Sequence, residues 1–100
     1  MSDYKVMLTP RAIKDMDKIY KYIIEEFMEP ETAERLLSDM EDAVNGLYTM
    51  PYRGAERKIG RYADKGYRQL FVKKYTIVYC VSEREKRVII LTVRYTPSDF

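Results

Sequence analysis

The sequence predicts an α+β domain of two layers, with a helical hairpin on one face of a single sheet of antiparallel strands. Three observations carry this expectation. Apolar residues recur at spacings of three and four through two stretches that meet at Pro30. Three alternating, β-branched segments follow, separated by short charged turns, and a brief alternating segment precedes the first helical stretch. With 100 residues, the chain suits one compact domain spanning 1–100.

Tyr4, Val6 and Leu8 alternate with Lys5 and Met7, as in a short strand with one buried face. Thr9-Pro10 reads as a helix start, with Thr9 as N-cap and Pro10 at the first helical position. Ile13, Met16, Ile19, Tyr20, Ile23, Ile24 and Phe27 then form an amphipathic stripe. Pro30 interrupts it, and a second helix is expected from Glu31, with Ala33, Leu36, Leu37, Met40, Val44 and Leu47 in helical period. Glu29, Glu31 and Glu34 suit the positive end of its dipole. Met50 to Gly66 follows neither period and reads as a basic loop with irregular or short-strand content. Strands are expected at Tyr67–Val72, Tyr75–Ser82 and Arg87–Tyr95, joined by turns at Lys73-Lys74 and Glu83–Lys86.

Charge is unevenly laid out. Residues 1–49 hold six basic against eleven acidic side chains, and residues 50–100 hold twelve against five. The bias sits mainly in an acidic block, Glu25–Asp42, and a basic block, Arg53–Lys74. The acidic block is largely accounted for as the solvated face and first turns of the hairpin. The basic block points to an anionic partner.

Absences narrow the chemistry. The chain has no histidine and one cysteine, Cys80, so imidazole catalysis and a zinc constellation are excluded. No glycine-rich phosphate loop occurs, and no cofactor or metal is expected. Cys80 is expected to pack as a small hydrophobe. The N-terminus lacks an apolar signal core, so a cytoplasmic protein without membrane contact is expected.

In the last strand, Ile89, Leu91 and Val93 form one alternating set, and Val88, Ile90, Thr92 and Arg94 the other. Arg68 alternates with Tyr67, Gln69 and Phe71. Arg68 and Arg94 would converge on an open sheet face if register permits, rimmed by Arg57, Lys58, Arg61 and Lys65. The plainer reading pairs Arg68 with a helix carboxylate and leaves Lys73-Lys74 as a solvated turn.

Taken together, these elements resemble the RelE/ParE superfamily of toxins from bacterial type II toxin–antitoxin (plasmid-stabilisation) modules. The resemblance rests on the strand before a helical hairpin, Leu47…Pro51-x-x-Gly54, Arg68-x-Leu70, Tyr75-x-Ile77-Val78-Tyr79-x-Val81 and the closing Val88…Leu91-x-Val93-Arg94-Tyr95. It implies a RelE-like fold and growth inhibition by one of two routes. RelE-like members cleave mRNA on the ribosome, which would give Arg68, Arg94 and Tyr95 catalytic roles. ParE-like members inhibit DNA gyrase without catalysis, which would make Lys58, Arg61, Arg68, Lys74 and Arg94 target contacts.

Departures tilt the balance. YoeB-like ribonucleases carry a histidine near the C-terminus, where this chain has Arg94-Tyr95-Thr96-Pro97, and an arginine where it has Thr76. The chain also ends at Asp99-Phe100 without the basic C-terminal helix of RelE. The pattern is closer to ParE. The family further implies a cognate antitoxin as partner and assembly into toxin–antitoxin hetero-oligomers. A basic RNA- or protein-binding module without toxicity is the remaining alternative.

Overall fold

In the computed structural model, which describes residues 4–56 and 66–96, the chain begins with β1 (Lys5–Leu8), α1 (Pro10–Phe27) and α2 (Pro30–Asn45). A 3-10 turn at Gly46–Tyr48 and the two-residue β2 (Ala55–Glu56) follow. The chain continues through β3 (Tyr67–Val72), β4 (Tyr75–Ser82) and β5 (Arg87–Tyr95). One sheet forms in the order β1-β5-β4-β3-β2. Its neighbours are antiparallel except β1 and β5, which run parallel with Val6 beside Val88 and Leu8 beside Ile90. The sheet is therefore mixed, and β1 closes one of its edges.

Thr9 does two jobs at the start of α1. Its Oγ1 accepts from the Ala12 N–H at 3.1 Å and donates to the Leu91 carbonyl at 2.8 Å, so one side chain caps the helix and docks it on β5. The cap also sets the helix phase. Ala12 faces the core at 0% exposure, whereas Ile13, expected in the apolar stripe, is 57% exposed. Met16, Ile19, Tyr20, Ile23 and Ile24 pack as expected, and the side chain of Phe27 lies outside the described residues. α2 starts at Pro30, one residue before the expected start, because proline fits the first helical position.

Between the helices, Met28 holds the left-handed conformation at φ 53° and donates its N–H to the Ile24 carbonyl. It is 81% exposed, so its side chain contributes little packing. Met28→Gly is expected to stabilise the chain by roughly 0.5–1 kcal/mol, measured by urea denaturation. Destabilisation would show that the methionine side chain matters to the turn.

The core lies between the hairpin and one sheet face. Ala12, Ile23, Ala33, Leu36 and Met40 from the helices meet Val72, Ile77, Tyr79, Val88, Ile90 and Val93 from the strands, and Leu47 seals one end. Burying each large aliphatic chain contributes about 1.5–3 kcal/mol. Val88 and Ile90 face the helices, and so does Val93, three positions further on. A β-bulge explains the change of phase. Tyr79 pairs with Ile90 and Val78 with Thr92, so Leu91 is an extra residue in β5. The two alternating sets expected along this strand therefore do not hold across it.

The bulge sends Arg94 to the face away from the helices. The centre of that face is not open: Thr76, Val78 and Thr92 are at most 2% exposed. Asp15 of α1 secures the bulged region, where β5 has run past the end of β1. Its Oδ2 accepts from the Thr92 hydroxyl and from the Val93 N–H at 3.2 Å, giving an unpaired strand amide a partner.

Candidate functional site

The side chains expected to form one site are divided between the two ends of the sheet. Arg68 pairs in register with Tyr79, and Arg94 with Thr76. Those β4 positions are three residues apart and on opposite faces, so the two arginines are separated by about 10 Å along the strand as well as by the sheet. They do not converge. Lys58 and Arg61, together with Arg57 and Lys65, lie outside the described residues.

At the first end, Arg68 shares the helix-side face with Leu70 and Val72. Its partner is not a helix carboxylate. Nε donates to the Gly54 carbonyl at 2.9 Å and Nη2 to the Tyr52 carbonyl at 3.3 Å, and the guanidinium lies 5.3 Å from the Tyr52 ring centroid. Tyr79 holds the same segment from within, donating to the Pro51 carbonyl at 2.8 Å and accepting from the Gly54 N–H at 3.0 Å. Arg68 thus fastens the root of the basic loop.

Beside it stands a carboxylate that the sequence presents only as part of a charged turn. Tyr4 and Tyr52 both donate their phenols to Glu83 Oε2, and Lys86 Nζ lies 3.1 Å from Glu83 Oε1. The Tyr4, Tyr52 and Lys86 hydrogen bonds hold the Glu83 carboxyl down at about 2, and the bond to Glu83 pushes the Tyr52 phenol up to about 12. The Glu83 contribution is complete above its ordinary value of 4.5 and is lost as pH falls towards 2. The Tyr52 contribution is complete below 10 and is lost as pH rises towards 12. This tie is therefore indifferent to pH across the physiological range. Tyrosinate absorbance is expected to show one phenol ionising about two pH units late, and Glu83→Gln to abolish the delay. Ordinary titration of Tyr52 in the wild type would contradict the arrangement.

The other end of the sheet carries Lys74 and Tyr95 on the helix side and Arg94 on the opposite face. Tyr75 and Tyr95 are register partners with ring centroids 5.3 Å apart at 54°. The Thr96 N–H donates to the Lys74 carbonyl at 2.7 Å, and the Thr76 and Thr96 hydroxyls lie 2.6 Å apart, which fixes the strand end against the turn. Lys73, in the left-handed conformation at φ 54°, reaches Asp39 of α2 at 3.3 Å. Lys74, Arg94 and Tyr95 remain exposed. Burial pushes the Tyr75 phenol up, with the neighbouring Tyr95 and Tyr22 adding to the effect.

Between this end and the tip of the hairpin lies a cleft of about 350 Å³. Tyr22 and Ile23 of α1, Arg35 and Leu36 of α2, and Lys74, Tyr75 and Tyr95 of the sheet all line it. Tyr22 and Arg35 are not apparent in the sequence as site residues. A signal was present, since Arg35 is the sole base in the acidic block. Cys80 takes no part; it sits half-buried in β4, where desolvation pushes its thiol up.

Residues 6–100 match the family described as ParE toxin of type II toxin–antitoxin system, parDE. No curated protein matches the chain. Among solved structures, a chain of the chromosomal ParDE TA system from P. aeruginosa is 23% identical with a TM-score of 0.75, covering 93% of this chain and 96% of that one. A chain of the RelBE2 toxin–antitoxin complex from Mycobacterium tuberculosis is 21% identical with a TM-score of 0.66, over 98% and 97%. A YoeB/ParE toxin from Agrobacterium tumefaciens is 21% identical with a TM-score of 0.63, over 91% and 96%. At these identities the likeness is one of fold. Among the described residues, no helix is long and apolar enough to cross a membrane.

Proposed function

The chain belongs to the ParE toxin family of type II toxin–antitoxin systems, and from that premise we propose that it arrests bacterial growth by inhibiting DNA gyrase. The division of its basic residues carries this reading over ribosome-dependent mRNA cleavage. A nuclease built on Arg68, Arg94 and Tyr95 would need these groups around one phosphate, where arginines stabilise developing charge. Register instead sets the arginines on opposite faces, and Arg68 is engaged by two loop carbonyls and a ring. Lys74 and Tyr95 are left exposed on the helix side at one end of the sheet and Arg94 on the opposite face there, a basic and aromatic rim around the strand ends that suits binding to a macromolecular target more than chemistry.

In this reading the protein acts in the cytoplasm and is held inactive by a cognate antitoxin. An acidic antitoxin segment that orders on binding suits the exposed Lys74 and Arg94. Their association is expected to weaken as salt rises; equal affinity at low and high salt would point to an apolar interface instead.

Expression in a bacterium, with plasmid topology and message integrity read from the same cells, tests the function. Growth arrest with loss of negative supercoiling and intact messages is expected. Messages cut within translated regions, with normal topology, would sink the gyrase reading and restore the nuclease one.

A further inference from the structure

We propose that the cleft between the hairpin tip and the β3–β4 turn is a binding site for a nucleoside monophosphate. Its interior is apolar, with Ile23, Leu36 and the buried ring of Tyr75, and two further rings stand at it with much of their surface in solvent, Tyr22 at 54% and Tyr95 at 59% exposure. A heterocyclic base has a planar face to lay on such rings, and stacking of this kind tolerates any base.

Charge completes the fit. Arg35, Lys73 and Lys74 line the same cleft, and among the described residues no carboxylate does. Lys73 is engaged by Asp39, whereas Arg35 and Lys74 enter no ion pair among the described residues. Two uncommitted cations beside an aromatic floor match a ligand with a planar ring at one end and a phosphate at the other.

Size and surroundings favour one nucleotide over a long peptide. At about 350 Å³ the cleft lies at the lower end of the range for small-molecule sites, about 300–1,000 Å³. The adjoining depression between α2 and β3 is lined by Asp39 and Asp42 beside Arg53 and Lys73, so an acidic peptide running on from the cleft would meet two carboxylates and no net positive charge. A ligand whose charge ends inside the cleft avoids them.

Calorimetric titration of the full chain with AMP, adenosine and inorganic phosphate tests the proposal. AMP is expected to bind with a Kd below about 1 mM, and at least about tenfold more tightly than either half of the molecule. Tyr22→Ala and Arg35→Ala are each expected to weaken AMP binding about five- to tenfold with the circular dichroism spectrum unchanged. Both positions are exposed, so folding should survive. Absence of AMP binding at several millimolar, phosphate binding as tightly as AMP, or either variant binding as the wild type does would overturn the site. So would capture of a glutamate-rich peptide in place of AMP. The titration uses the isolated chain, so its outcome is separate from that of the gyrase reading.

Discussion

Replacing Tyr79 by phenylalanine is expected to lower folding stability by about 2–4 kcal/mol, seen as a fall of roughly 10–20 °C in Tm. The substitution keeps the ring, so the core is not hollowed. It removes one oxygen that holds both the Pro51 carbonyl and the Gly54 N–H, and Tyr79, Pro51 and Gly54 are all buried. Both backbone groups would be left without their partner where water does not readily reach. Gly54 shows how closely the segment is packed. A Cβ there would lie 2.5 Å from the Gln69 carbonyl and 2.6 Å from the Tyr79 hydroxyl, so Gly54→Ala should destabilise as well. A Tyr79→Phe protein with wild-type Tm would show that the loop root is held by other contacts.

The second large effect is a separation of roles between arginines. Arg94→Ala combined with Lys74→Ala is expected to abolish growth arrest while leaving Tm within about 2 °C of wild type, since both side chains are exposed. Arg68→Ala is expected to do the reverse in part. It should lower stability by about 1–3 kcal/mol through the loss of two charged hydrogen bonds to the loop and the contact with Tyr52. Any loss of toxicity should then follow the loss of fold and be relieved by lowering the temperature. If Arg68→Ala kept its stability and lost all activity, Arg68 would belong to the functional surface after all.

Local signals carried most of the fold. The Thr9-Pro10 helix start, the proline junction and the two β-hairpins each depend on residues close together in the chain, where spacing and turn chemistry speak directly. The pairing of β1 with β5 was not legible, because periodicity reports a strand's faces and not its neighbour. The bulge at Leu91 was hidden for a more specific reason: both alternating sets in β5 are apolar, so the sequence gives no mark where the phase changes. That one extra residue decides the site. It turns Arg94 from the face of Val88 and Ile90 to the opposite face, and so separates it from Arg68. The tie of Tyr4 and Tyr52 to Glu83 joins residues some eighty and thirty positions apart, and the contribution of Tyr22 and Arg35 to the cleft depends on where the hairpin tip comes to rest. Neither is a matter of local pattern.

The acidic and basic halves now have separate explanations. The acids lie mostly on the hairpin, with Asp15 and Asp39 recruited to hold β5 and Lys73. Among the described residues, Arg68 and Lys73 are likewise engaged in holding the fold, and the functional reading rests on Lys74 and Arg94, exposed on the two faces at one end of the sheet. The most direct measurement of that reading is the supercoiling of relaxed plasmid by purified gyrase in the presence of the purified protein. Dose-dependent loss of supercoiling, absent with the Arg94→Ala, Lys74→Ala protein, is the expected result. Undiminished supercoiling by a preparation that still arrests growth would contradict it.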